Sequence, residues 1–257
     1  MSRSATVVAI RPHRKACGAC ADCEVRRTAV CAALEDDEVV ALERIMGSVR
    51  LEANAMLVEE GAPRRRVFSL TSGMLRLLTA LPDGRRQITG FLLPGDYLGL
   101  LDEATHTLTA EAVVPSVLCG FPVPQMQDLM ERYPRLRDRL HQMTKAALRQ
   151  AWDNQLVLGR LAPVEKVSSF LLVLSARQAS GRPVSDTVPL AMTRADIADY
   201  LGLTVETVSR SFTKLRQQGL IRLPDAHRVE IVDRGALAAV AGMEPQSSGS
   251  STPSTRR

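Results

Sequence analysis

Residues 193–218 read TRADIADYLGLTVETVSRSFTKLRQQ, and the punctuation of that stretch decides the fold of the C-terminal third. Thr193, followed three residues on by Asp196, forms a capping box with aspartate in the acidic place. Ile197, Tyr200 and Leu201 then recur with the spacing of a short amphipathic helix. Gly202 breaks that helix, and Leu203 leaves an apolar residue at the turn. Thr204 is suited to cap a second helix whose inward stripe is Val205, Val208, Phe212 and Leu215. Two helices joined by a glycine turn within about 25 residues make the motif that seats its second helix in a DNA major groove.

On the second helix Glu206, Ser209 and Arg210 fall at i, i+3 and i+4 and share the face left over for a partner. Arg210 can fork two hydrogen bonds to guanine O6 and N7, Glu206 can accept from cytosine N4, and Ser209 can bond either kind of edge. The plainer alternative is a Glu–Arg pair on a solvated helix, which stabilises little. A polar trio near the N-terminal end of the second helix favours base readout. Thr204, Thr207, Thr213, Lys214 and Arg216 are placed for phosphate contacts, which position a protein on DNA without reading sequence. Leu220–Leu223 and Arg228–Val232, joined by Pro-Asp-Ala-His, predict a two-stranded wing beside the helices.

Upstream of this unit, Ala162–Arg177 reads as a further helix, and Pro124–Leu158 as a long helical stretch before it. Leu136, Leu140, Met143 and Ala147 follow a four-three spacing there, the seam of a paired helix, so a homodimer helix is expected over 124–158. Asp153 lies late on the same stretch, either facing its own copy across a two-fold axis, where like charges weaken a dimer, or solvated on the outer face. From about Val49 to Val123 short apolar or alternating runs are punctuated by Gly61, Gly73, Gly84, Gly90 and Gly95. Asp83-Gly84, between Met74–Leu81 and Gln87–Leu93, is a hairpin signal, and the whole stretch predicts a small β-roll. The hairpin tip Leu81–Arg86 is either a plain turn or a contact surface.

The expected organisation is therefore an arm (1–16), a cysteine-rich segment (17–35), a β-roll (36–123), the long helix (124–158), a winged helix-turn-helix (159–240) and a Ser/Pro-rich tail (241–257). The arm and tail carry too little apolar sequence to order themselves. With 257 residues, 45% hydrophobic and 24% charged, the composition is that of an ordinary globular chain, and a roll followed by helices places it in the α+β class. A formal net charge of +5 is compatible with a polyanionic partner. No segment is apolar for the length a membrane helix needs, so a cytoplasmic location is expected. There is no Walker A loop, Gly-x-Ser-x-Gly or His-Glu-x-x-His, and an enzyme is not expected.

The five cysteines are the second informative feature. Cys17, Cys20, Cys23 and Cys31 follow the spacing C-x2-C-x2-C-x7-C in a polar segment, and Cys119 stands alone in VLCGFP. In a reducing compartment such a set points to metal rather than to disulfides. Thiolates are the soft ligands that zinc and iron–sulfur clusters select. By residue types alone a zinc site from the four N-terminal cysteines and an iron–sulfur cluster drawing on a distant cysteine stand level. His13, His106, His141 and His227 show no ligand spacing, although His106 leaves a haem-binding sensor open. A small redox electron carrier would use the cysteines too, but has no use for a winged helix.

Taken together, the roll with QITGFLLPGDYLG, the long helix and the winged helix with LGLTVETVSR resemble the family of the cyclic-AMP receptor protein and the fumarate and nitrate reduction regulator. The resemblance covers about residues 17–240, and Glu206-x-x-Ser209-Arg210 matches the recognition signature of the second branch. It implies a double-stranded β-roll, a dimer on an inverted repeat with TTGAT-type half-sites, activation through RNA polymerase touched by Leu81–Arg86, and control of anaerobic or microaerobic genes. It also implies a [4Fe–4S] cluster on Cys20, Cys23, Cys31 and Cys119, with Cys17 left over or as a substitute ligand. After Gly99 the chain reads LLDEATHTLTAEA, without the arginine that holds a cyclic phosphate in the other branch, so cyclic nucleotide is not expected.

Overall fold

The computed structural model describes residues 11–12, 20, 23–80, 83–101, 103–179 and 182–243. The expected tail beyond Met243, Cys17, and Leu81 and Pro82 at the hairpin tip lie outside the described residues, as does the expected arm apart from its Arg11–Pro12 strand.

In chain order the N-terminal half contains β1 (Arg11–Pro12), a 3-10 turn at Val30–Ala33, α1 (Asp36–Ile45), β2 (Gly47–Leu51), β3 (Met56–Val58), β4 (Arg66–Ala80), β5 (Arg86–Leu92), β6 (Tyr97–Leu98) and β7 (Thr109–Pro122). All pairings are antiparallel, and the main path runs β1-β2-β7-β4-β5, with β3 on β7 and β6 on β4. The expected hairpin is β4–β5 with Gly84 at φ +85°, but β4 is 15 residues long rather than short. It reaches that length by pairing along β7 on one side and β5 and β6 on the other, and by bending at register shifts between Leu70 and Leu75 on its β7 side. Gly73 sits in that bend at φ +90°, where a Cβ would come within 2.6 Å of the Pro115 carbonyl oxygen. Only glycine meets both demands. Val49, Leu51, Phe68, Leu70, Leu75, Leu98, Ala110, Ala112 and Leu118 fill the roll's interior.

The roll leads into α2 (Val123–Arg132), α3 (Pro134–Arg160) and α4 (Pro163–Ala179). The single helix expected over 124–158 is therefore two. Pro134 disfavours helical backbone at Tyr133, which adopts φ −122° and ψ 88°, and a new helix starts behind it. The residues expected at the seam are turned to the chain's own interior. Leu136 is fully buried, and Leu140 and Met143 pack beside it, against the protein's own cysteine-containing core. Ala147 lines a cavity between α3 and the roll residues Gly90–Tyr97. The large apolar side chains that α3 leaves exposed are Leu148 (50%), Trp152 (62%) and Leu156 (62%), one stripe at four-residue spacing on the opposite side of the helix. Asp153 is exposed about 100° round from Trp152, the turn per residue of an α-helix, at the flank of that stripe rather than within it.

The C-terminal unit comprises β8 (Thr187–Pro189), α5 (Arg194–Leu201), α6 (Val205–Gln217), β9 (Ile221–Asp225), β10 (Arg228–Ile231) and α7 (Arg234–Val240). The wing expected from sequence is β9–β10, and β8 extends it to three strands in the order β8-β10-β9. One continuous core joins this unit to the roll: Met74, Leu78, Ile88, Phe91 and Leu93 pack with Phe170, Leu174, Ile197, Leu201 and Phe212. Among the described residues no helix is long and apolar enough to cross a membrane.

Candidate DNA-binding and cysteine sites

The helix-turn-helix forms as its punctuation predicts. The Thr193 hydroxyl accepts from the Asp196 N–H at 3.1 Å, while the Thr193 N–H donates to Asp196 Oδ2 at 3.0 Å, completing the capping box. Gly202 ends α5 in the left-handed region at φ 61°, and its N–H bonds back to the Ala198 carbonyl. Thr204 caps α6 by accepting from the Thr207 N–H at 3.2 Å. Val208, Ser211, Phe212 and Leu215 are the buried face of α6. Val205, assigned above to that inward stripe, is exposed instead.

Glu206, Ser209 and Arg210 are all exposed on α6, uncovered by any other of the described residues. The Glu206 carboxyl is held below its ordinary range by the backbone N–H at the helix start, by the Thr204 hydroxyl and by the nearby Arg210. It is therefore an acceptor at neutral pH, the state that cytosine N4 requires. Arg210 makes one long hydrogen bond, 3.4 Å to the Thr207 hydroxyl, and is otherwise extended into solvent. Thr213, Lys214 and Arg216 are exposed further along, while the hydroxyls of Thr204 and Thr207 lie 3.0 Å apart within the cap.

Sequence reasoning missed what holds this unit from behind. Arg194 lays its guanidinium 3.5 Å from the centre of the Phe212 ring, tying the start of α5 to the middle of α6. Arg76, in the middle of β4, reaches Asp196 across the boundary with the roll at 3.1 Å. The one available signal was a charge inside the apolar run MLRLLTA. At the tip of β4–β5 Arg86 donates to Asp199 on α5 at 3.3 Å, so that end of the expected polymerase surface leans on the helix-turn-helix.

The cysteines come together from two remote parts of the chain. Cys20, Cys23, Cys31 and Cys119 all belong to one core with Leu34, Leu42, Phe121, Met126 and Leu136. Cys119 is placed by the β2–β7–β4 pairing, opposite Ser48 on one side and Ser69 on the other. Cys20, Cys23 and Cys119 line a cavity of about 310 Å³. Burial pushes the Cys20 thiol up to about 12, helped by Glu43, Cys119 and Cys31, and Cys119 up to about 12, helped by Cys23 and Cys31. Cys31 is raised by burial and by Cys23, against the pull of Arg26. Thiols that raise one another's pKa in a desolvated place are the donor chemistry a soft cation satisfies, since a bound cation reverses that mutual repulsion. In donor type, and in belonging to one core, the four suit a thiolate-bound group, although no three metal-ligating side chains among the described residues stand close enough to hold a metal ion as they are. His106 is a buried residue whose pKa is lowered by burial and by Arg64, and it lies away from these cysteines in the roll's loop.

The cysteine segment touches α3 directly. Arg139 donates through Nη2 to the Thr28 carbonyl, between Cys23 and Cys31, and Leu136 packs in the cysteine core. Arg26 braces the same loop by donating to the carbonyls of Cys31 and Leu34.

Comparison with known proteins agrees with both halves. Residues 165–240 match the Crp-like helix-turn-helix domain, and residues 48–133 match the cyclic nucleotide-binding domain. The chain is 39% identical over 218 residues to the nitrogen fixation regulation protein FixK of Bradyrhizobium diazoefficiens, covering 85% of this chain and 91% of that one. It is 34% identical to the transcriptional activator protein FnrL of Cereibacter sphaeroides, covering 87% and 92%. Among solved structures, FixK2 from Bradyrhizobium japonicum superposes with a TM-score of 0.71 at 31% identity, covering 79% of this chain and 100% of that one.

Proposed function

The chain belongs to the CRP/FNR family of DNA-binding transcription regulators, and from that premise we propose that it is an oxygen-responsive activator, with DNA binding governed by a thiolate-held [4Fe–4S] cluster. The observation that carries this reading is the gathering of Cys20, Cys23, Cys31 and Cys119 in one core that also contains the base of α3. When bound, the cluster supplies an oxygen-reactive metal centre at these four sulfurs. Cys20, Cys23 and Cys31 would fasten the N-terminal segment, and Cys119 would fasten it to β7. Fastened, the segment presents the Thr28 carbonyl to Arg139 and packs Leu136, which fixes where α3 starts and how it leaves the roll.

The rest of the mechanism belongs to α3 and α6. Leu148, Trp152 and Leu156 bury their exposed stripe against a second copy, and the two α6 helices then read the half-sites of a TTGAT-type inverted repeat through Glu206, Ser209 and Arg210. Thr204, Thr207, Thr213, Lys214 and Arg216 supply phosphate contacts. Asp153, on the flank of the stripe, repels its own copy across the pair and so helps the helices separate once the cysteine segment is released. One half-site alone offers too little charge neutralisation for tight binding, so release of the cysteine segment weakens operator affinity. Leu81–Arg86 serves as the surface for RNA polymerase.

Purification without oxygen tests this directly. The expected protein is coloured, contains iron and sulfide in equal amounts near four per chain, as the cubane composition requires, and loses operator affinity in air. A colourless protein carrying one zinc ion and binding its operator equally in air would overturn the oxygen-responsive reading and leave the DNA-binding one standing.

A further inference from the structure

Asp196 divides its two oxygens between two domains. Oδ2 closes the capping box of α5, accepting from the Thr193 N–H and, at 2.7 Å, from the Thr193 hydroxyl. Oδ1 accepts from Arg76 Nη1 at 3.1 Å, a contact between residues 120 apart in the chain. On its other side Arg76 is anchored in the roll. Its Nε and Nη2 both donate to Glu111 Oε2, at 3.0 and 2.7 Å, and Nη2 also reaches Asn54 Oδ1 at 3.3 Å. Register fixes the anchor, since Arg76 and Glu111 are directly paired across β4 and β7. Asn54 presents its amide oxygen from a left-handed backbone at φ 64°, the one such non-glycine residue among those described.

The side chains of Arg76 and Asp196 are 11% and 3% exposed, whereas the neighbouring Arg86–Asp199 pair is 46% and 34% exposed. An exposed pair can exchange its partner for water at little cost, but a buried one cannot. Removing Arg76 would leave two carboxylates in a desolvated place with one cation fewer. Asp196, Asp199 and Tyr200 share one face of α5 at i, i+3 and i+4, and that face is turned to the roll. With this contact made, Glu206, Ser209 and Arg210 remain exposed.

We propose that Arg76 is a positioning residue for DNA binding: through the cap aspartate of α5 it fixes the angle at which the roll presents the recognition helix. The contact spans the boundary, so the unit that holds the cysteines and the unit that reads DNA share one buried ion network. A single orientation limits the freedom lost when both recognition helices dock together.

Arg76→Met and Asp196→Asn test this in the full-length protein on a duplex carrying the inverted repeat. In Asp196→Asn the amide oxygen can still accept from Thr193, while its NH2 meets the Arg76 donors, so the cap persists and the contact between domains is lost. Each variant is expected to weaken operator binding about tenfold, with the double variant no weaker than the worse single one, as coupled residues behave. Distances between genetically encoded, cysteine-independent labels at Arg50 of the roll and Gln218 of the helix-turn-helix should broaden in both, while far-UV circular dichroism is unchanged. If Arg76→Met fails to fold, Asp196→Asn with the distance measurement decides alone. Unchanged or tighter operator binding, additive losses in the double variant, or an unbroadened distance in Asp196→Asn would each overturn the proposal.

Discussion

Arg210 sits in the second turn of α6 with its guanidinium free to enter a groove, and the Thr207 hydroxyl at 3.4 Å is too weak a partner to hold it back. Arg210→Ala should therefore relax the choice at one guanine per half-site by about 1–3 kcal/mol, leaving the other positions of the repeat as selective as before. Competition between duplexes substituted at single positions measures this, and an unchanged preference everywhere would remove Arg210 from the reading face. Cys119 invites a different experiment, because it is the one ligand candidate that lies outside the N-terminal segment. Cys119→Ala should abolish iron retention after anaerobic purification, whereas Cys17→Ala should retain both iron and colour. The reverse outcome would move the ligand set onto the four N-terminal cysteines.

At the scale of elements, α3 has one buried and one exposed apolar face, and two substitutions should separate the core role of the first from the pairing role proposed for the second. Leu136→Ala empties a fully buried position beside the cysteines and is expected to cost about 2–5 kcal/mol of stability, read from denaturant unfolding. Trp152→Ala removes a mostly exposed ring, so the single chain should unfold within about 0.5 kcal/mol of the parent. Its effect should appear in sedimentation instead, as a shift from dimer toward monomer. If both variants lost only stability, the stripe would not be an interface. The four-three spacing that led the sequence to Leu136, Leu140, Met143 and Ala147 was a true helical pattern. What it could not say is which surface the stripe meets, since an apolar face packs equally well on its own roll or on a copy. Capping and turn chemistry were legible for the opposite reason: Thr193, Gly202 and Thr204 act on backbone groups a few residues away, and nothing distant can override them. Arg76 was hidden because its meaning depends on a residue 120 positions along the chain.

Across the whole molecule the cysteine core lies at one end of α3, the exposed stripe follows along it, and α4 begins just beyond at Pro163. Events at the cysteines can reach DNA by two routes, a change in how α3 pairs with its copy or a change in how each helix-turn-helix is held. The second route is opposed by the continuous core between roll and C-terminal unit and by the Arg76–Asp196 contact, both of which lie away from the cysteines. In the proposed dimer, pairing is the weaker link, because Leu136 is the one residue of α3 that is fully buried within its own chain. Joining two copies head to tail through a Gly/Ser linker of about 40 residues, with a mean span near 35 Å, would keep the copies at roughly millimolar effective concentration. If oxygen acts through pairing, this tandem protein should hold its operator in air while the unlinked protein releases it, as gel shifts before and after exposure would read. Equal release by both would mean that the signal travels through the orientation of the DNA-reading unit, and the network at Arg76 would then be its first candidate path.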